Sequence, residues 1–425
     1  MISRPTPARL ATLLALLFAG AGLAACGSTS SEEPIPWVNQ GNNQSNNQTP
    51  DNQNNQNQNN QNQNPTNQNP TNQTNPGDAG VITLFDETVS LINGYATEAI
   101  EFQVPDNVLS VAITISDGPP NAQYAVTGWT GPGNFPIVPS GWESSGSGMC
   151  YPNCNNRIIL NVASFGGLAP NNPDSRVEPG NHRFFPIGFA VSGWSMSPLT
   201  AGVRVKVMAK TISDEVPDTG VMDLNIYFTG SNGWTAETAQ NDPSFAAMLQ
   251  QVDALYDQVG VDLGEITYND APSNLQVIQD HSSGSGDLSQ LFASSADAPL
   301  EHGLNLFFVH ELRSPFGEIL GIAGGIPGPV LKHGTGRSGV AVATSSVGTP
   351  GAPSLAHTVA HELGHYLGLF HTSEYFSMGG TPEHDPLPDT PPNDTSYLMH
   401  ASGEGNNISP WQGRVIRKNP FIRHP

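Results

Sequence analysis

The chain predicts an α+β domain over residues 218–425, preceded by an all-β sandwich domain over 80–215. Three observations carry this division. Short alternating apolar segments separated by Gly, Pro and Asn turns fill the stretch from about Val81 to Thr211. Beyond Thr211, strand-like and helix-like periodicities succeed one another in a single run. Ahead of both, residues 39–75 are nearly all Asn and Gln, with too little apolar surface to repay the entropy of ordering.

The amino terminus reads in three parts. Arg4 and Arg9 precede an apolar run from Leu10 to Leu23, followed by Leu23-Ala24-Ala25-Cys26. Basic, apolar and small residues in that order predict a secretory signal peptide over 1–25. The run is shorter than the roughly 20 residues a membrane span needs. A cysteine directly after small residues resembles the bacterial lipoprotein box, which implies that Cys26 becomes a lipidated first residue and a membrane anchor. Residues 26–79 then read as a disordered tether.

In the first domain, strands are expected at Thr88–Ile92, Ala99–Val104, Leu109–Ile115, Tyr124–Trp129, Arg157–Val162, Phe185–Val191 and Val203–Thr211. Seven short strands at this spacing fit an antiparallel sandwich. Trp129, Trp142 and Trp194 offer either core packing or a carbohydrate- or partner-binding face, and burial is the commoner fate of tryptophan. The chain has 3 cysteines. With Cys26 spent on lipid, Cys150 and Cys154 remain as a pair, expected to close a small disulfide loop in an oxidising compartment.

Residues 211–220 look like the joint between domains. Val221–Phe228 follows as a strand and Ser244–Val259 as an amphipathic helix, with Phe245, Met248, Val252, Leu255 and Val259 along one stripe. Leu263–Tyr268 and Leu304–Val309 are further strands, and 286–297 has helical character. Gly321–Val330 is too rich in Gly and Pro to predict regular structure. Val340–Ser346 reads as a strand, expected at a sheet edge beside the cleft, and a helix should begin near Ser354.

That helix carries the chemistry. His361 and His365 stand four residues apart, so their side chains rise from one face and can share a metal ion. Glu362 lies only about 60° around the helix from His365, close enough to serve a water at that metal. His371 is six residues past His365, on the wrong side of a continuous helix. Gly368 resolves this, because a glycine accepts positive φ and can fold the chain back to bring His371 in as a third ligand. Three nitrogens and one open position are the arrangement of a catalytic zinc site. His357 repeats the four-residue spacing but lacks the glutamate and the glycine turn, so it reads as a packing residue.

Residues 361–371 fit H-E-x-x-H-x-x-G-x-x-H without a mismatch, and this resembles the metzincin metalloproteases. Leu369-Phe370-His371-Thr372, the 384–391 segment and Ile408-Ser409-Pro410-Trp411-Gln412 resemble the pappalysin, or cytophagalysin, branch. The resemblance covers roughly the last half of the chain. It implies a twisted sheet over the zinc-binding helix, one catalytic Zn2+ and Glu362 as general base to a metal-activated water. It also implies Met399 as a structural residue below the metal, and proteins or peptides as substrates. Two departures are plain: Ala401 stands where that branch has a tyrosine, and this half carries no cysteine. Relatives bind calcium near here, and the run Glu383-His384-Asp385, Asp389 and Asn393-Asp394 could give Ca2+ several oxygen ligands; the alternative is a solvated loop whose carboxylates offset the zinc charge or orient its ligands.

Composition narrows the rest. Lys and Arg total 15 against 37 Asp and Glu, a formal charge of −22, which excludes nucleic acid as a partner because that affinity rests on neutralising phosphates. The expected protein is a zinc endopeptidase at the bacterial cell envelope, lipid-anchored and surface-exposed or secreted. Two expectations compete with it: a surface adhesin or carbohydrate-binding lipoprotein with a vestigial zinc site, and a zinc enzyme acting on a non-peptide bond.

Overall fold

A computed structural model describes residues 25–27, 80–140, 161–162, 164–170, 177–192, 195–213, 217–281, 284–314, 317–345, 353–374, 383–385, 387–402 and 405–424. It is mostly β with few helices. Cys150, Cys154, Trp142 and Trp194 lie outside the described residues, and so does most of the amino-terminal region.

The first sheet is antiparallel throughout. Its main strands are β1 (Gly80–Ile92), β2 (Ile100–Val104), β3 (Val108–Ser116), β4 (Ala122–Thr130), β5 (Phe165–Ala169), β6 (Gly180–Ser192) and β7 (Ala201–Thr211). The hydrogen-bonded order is β4-β6-β1-β7-β3-β5, with Tyr95–Ala96 joining β6 to β1 and β2 also pairing with β6. Val111, Ile113 and Val205 share one apolar cluster with Trp129, Phe184 and Ile187, so the two ends of the sheet face each other across a common core. Trp129 is fully buried there and donates its indole N–H to Nδ1 of His182 at 3.3 Å. It packs the core and offers no binding face. The strand at Phe165–Ala169 was not expected, because Phe-Gly-Gly-Leu-Ala carries no β-branched residue. Gly166 is needed for space: a Cβ there would collide with the carbonyl of Gly328, far along the chain.

The second sheet contains β8 (Gly220–Phe228), β9 (Val261–Asp270), β10 (Leu304–Val309), β11 (Glu311–Ser314), β12 (Gly317–Ala323) and β13 (Val340–Ala343). Their order is β9-β8-β10-β13-β12-β11. The first four are parallel, and β12 runs antiparallel to β13 and β11. Two sequence expectations fail here. Val340–Ala343 is not an edge; it is hydrogen-bonded on both sides, to β10 and to β12. Gly321 lies inside a regular strand, because β11 and β12 form a hairpin that composition alone did not reveal. Along β12, Ala25–Gly27 adds a short antiparallel strand, so the backbone at Cys26 lies against this sheet.

Besides a short helical turn at Ala236–Ala239, the described residues around this sheet include four longer helices: α1 (Pro243–Asp257), α2 (Asp287–Ala293), α3 (Leu355–Leu367) and α4 (Pro410–Lys418). Asp242 caps α1 by accepting from the N–H groups of Ser244 and Phe245, and Pro243 fits the first turn. The apolar stripe of α1 packs against α3, and Tyr256 donates its hydroxyl to the Ala360 carbonyl at 2.8 Å. A capping box of Ser409 and Gln412 starts α4.

The two sheets are joined by more than a linker. Ala112, Leu168 and Met208 of the first belong to the same apolar cluster as Val359, Leu363 and Leu367 of α3. Ser110 donates to the Lys418 carbonyl at 2.5 Å, and Thr114 to that of Val330 at 3.2 Å. Lys210 on β7 is buried and donates to the carbonyls of Arg417 at 2.6 Å and Asn419 at 3.0 Å, and to that of Ile422. Three acceptors match the three N–H bonds of an ammonium. Burial, and next the charge of Arg417, push this lysine well below its ordinary pKa, while the carbonyls at the end of α4 hold its protons. Lys210→Met keeps the length but strands three carbonyls. Its expected cost is about 2–5 kcal/mol, seen in calorimetry as a lower melting temperature with both sheets unfolding in one transition. Two separate transitions in the parent protein would mean that the sheets are stable independently.

Candidate metal centre

Helix α3 is buried along nearly its whole length, from Ala356 to Leu367. Ser354 starts it by accepting the His357 N–H at 3.1 Å. Gly368 ends it at φ 114°, a left-handed conformation that a side chain would strain. There Gly368 N–H donates to the His365 carbonyl and Leu369 N–H to that of Gly364, both at 2.9 Å. This closing pair of bonds turns the chain back toward the helix face it has just left. His371 follows, and its segment is fixed by Thr372 N–H donating to the Met399 carbonyl at 2.8 Å.

The reversal brings three imidazoles together. Nε2 of His371 lies 3.2 Å from Nε2 of His361 and 3.1 Å from Nε2 of His365. Ligand atoms of all three lie within 4.8 Å of one another, and among the described residues no other set of three or more His, Cys, Asp or Glu does so. His361 donates from Nδ1 to the Leu398 carbonyl at 2.7 Å, and His365 from Nδ1 to the Leu369 carbonyl at 2.8 Å. Those bonds fix both tautomers and leave the Nε2 lone pairs facing inward. Burial first, then the neighbouring imidazoles, push His365 well below its usual pKa, so it stays neutral. Converging neutral lone pairs repel unless a cation lies among them. Ligands about 2.0–2.1 Å from a tetrahedral zinc stand about 3.3 Å apart, close to the spacing of these nitrogens. The residues present fit zinc.

The rest of the constellation is packed around this tripod. Met399 is fully buried under α3, where a Cβ on Gly364 would come within 2.6 Å of its Sδ. Glu362 is buried on the helix side facing β12, against Gly321. His357 stays apart from the tripod. Its ring lies over that of His361, with centroids 6.1 Å apart, and its Nδ1 donates to Oδ1 of Asn406 at 3.2 Å. Tyr397 turns away, donating its hydroxyl to the Asp389 carbonyl at 2.8 Å.

The carboxylates expected to offer calcium its oxygens are engaged by their own loop. Asp385 accepts from Thr390 Oγ1 at 2.6 Å and from Leu387 N–H at 3.0 Å. Asp389 accepts from Ser409 Oγ at 2.9 Å and Trp411 N–H at 3.0 Å, holding the start of α4. Asp394 accepts from Ser396 N–H at 3.0 Å. These donors tie down the loop that carries Met399.

Sequence reasoning passed over several residues that shape the site. Gly321 and Gly364 are required for space and leave no periodic signal. The Leu398 and Leu369 carbonyls that orient the imidazoles are invisible because any residue could supply them. Asn419 donates to the Leu367 carbonyl at 3.1 Å, securing the last turn before Gly368. An asparagine near a helix end is a recognisable capping signal, but its partner lies 52 residues away.

No family model matches the chain. It is 38% identical over 91 residues to Extracellular metalloprotease 1 of Coccidioides posadasii, covering 21% of this chain and 31% of that protein. It is 36% identical over 92 residues to Extracellular metalloprotease of Colletotrichum graminicola, covering 21% and 30%. The chain therefore spans about a third of the length of the curated relatives it matches. A looser structural likeness is to metalloproteinase-II from Bacteroides fragilis, with a TM-score of 0.30 and 13% identity over 51% of this chain and 62% of that one. Over about a fifth of its length, the chain is thus similar in sequence to extracellular metalloproteases of fungi.

Proposed function

We propose that the protein is a zinc-dependent endopeptidase of the metzincin type, hydrolysing peptide bonds in extracellular proteins or peptides. The observation that supports this best is the buried tripod of His361, His365 and His371, with Glu362 on the same helix as two of its members. These three imidazoles would hold the zinc. When bound, the metal supplies Lewis-acid polarisation of a carbonyl and lowers the pKa of a water toward neutrality. Glu362 accepts the proton of the attacking water and returns it to the departing amine. The Leu398 and Leu369 carbonyls keep the imidazoles of His361 and His365 from turning, and Met399 fills the space beneath them.

In this proposal the substrate lies extended along β12. What supports that strand, and not Val340–Ala343, is that β13 is paired on both sides, whereas β12 is paired with β11 only over residues 317–319 and beyond that takes an antiparallel segment of its own chain at Ala25–Gly27. The protein is exported and held at the bacterial envelope through lipid on Cys26, with Cys150 and Cys154 bonded to each other. Support for this lies in the residue order at the amino terminus and in the extracellular description of the relatives. No helix among the described residues is long and apolar enough to cross a membrane. The adhesin reading loses one support, because Trp129 is in the core.

Glu362→Gln preserves size and removes the base. Zinc content and melting temperature should hardly change, while cleavage of a diverse peptide library should fall by at least ~10²-fold. Full cleavage by this variant would discard the mechanism, and a zinc-loaded parent protein that cleaves no peptide would favour the adhesin reading.

His371→Ala should lose zinc on dialysis, as measured by elemental analysis, whereas His357→Ala should retain it. A chelator should lower the melting temperature of the parent protein and leave that of His371→Ala unmoved, since a ligand that binds only the folded state stabilises it. A fully loaded His371→Ala would remove the third ligand from the scheme.

A further inference from the structure

We propose that Gly321 on β12 is a positioning residue whose missing side chain creates the slot in which Glu362 stands; this rests on Glu362 being the general base. A Cβ built at Gly321 would lie 2.5 Å from Cγ, 3.0 Å from Cδ and 2.9 Å from Oε1 of Glu362. No real Cβ tolerates 2.5 Å, so a methyl group there and the present Glu362 rotamer exclude each other. The backbone of Gly321 is not in the left-handed region, so conformation does not demand glycine here; space does. Glycine inside a strand is otherwise unfavourable and commonly marks a close approach by another group.

The strand cannot easily step aside. Gly321 is paired with Val342 of β13, which is itself held by β10, so its backbone is tied into the sheet. The helix cannot step aside either, since α3 is buried against α1 on its other side and pinned by the Tyr256 hydroxyl. The group that can move is the Glu362 side chain, by rotation about its own bonds. A methyl at position 321 therefore displaces the carboxylate while leaving the three imidazoles where they are. The glutamate's approach to the metal is thus set by a residue 41 positions earlier in the chain.

The test is Gly321→Ala, alone and combined with changes at 362. The single variant should keep zinc and fold, lose ~10–100-fold in kcat with KM nearly unchanged, and show the carboxylate withdrawn from the imidazoles in a crystal structure. In a Glu362→Gln background the same change should cost nothing further, because no base remains to misplace. If Gly321→Ala lowers the melting temperature, Glu362→Ala in the same chain should restore it by removing the atoms that collide. Wild-type turnover by Gly321→Ala, an unmoved carboxylate, or a melting temperature that Glu362→Ala fails to restore would overturn the proposal. A parent protein with zinc but no peptidase activity would overturn the function instead, and the structural and melting comparisons would still decide the role of Gly321.

Discussion

Two imidazoles one helical turn apart define a line, and a tripod needs a third nitrogen from chain that has left the helix. This requirement for reversal governs the chain after helix α3. Gly368 makes the turn at φ 114°, and the bonds that close it consume the carbonyls of Gly364 and His365. The returning strand then needs its own anchor, which the Met399 carbonyl supplies to Thr372. The neighbouring Leu398 carbonyl orients His361. Successive residues, Leu398 and Met399, therefore fix both a helical imidazole and the segment bearing the third one. Gly364, in the middle of the histidine motif, lets the methionine approach closely enough for this to happen.

Burial makes the arrangement electrostatically purposeful. The Nδ1–H groups of His361 and His365 are committed to carbonyls, so three buried imidazoles converge on one another through their Nε2 atoms in largely apolar surroundings. Such a cluster costs free energy in the bare protein and favours a cation. The carboxylates of the following loop make the opposite choice, spending their charge on backbone N–H groups and hydroxyls. Three buried imidazoles that could hold a metal ion thus lie beside a loop tied down by its own carboxylates.

What was legible in the sequence followed from periodicity. The four-residue histidine spacing, the glycine after it and the apolar stripe of Ser244–Val259 each predict local geometry, and local geometry is what they determine. Val340–Ala343 was recognisable as a strand for the same reason, yet its neighbours in the sheet are decided by residues far away in the chain. The hairpin of β11 and β12 was hidden by its Gly content, although its glycine at 321 is there because of the helix opposite. Lys210 shows the limit most clearly. Arg204, Lys206 and Lys210 fall on the same alternation along β7, and only the first two keep any exposure. Nothing local separates them; the end of α4 covers one and not the others.

That covering has a mechanical meaning. The Asn419 carbonyl receives the Lys210 ammonium, and the Asn419 side chain holds the carbonyl of Leu367, one residue before the glycine that reverses the chain. The first sheet and the turn that brings His371 back are thus only two hydrogen bonds apart, with the backbone and the side chain of one asparagine between them.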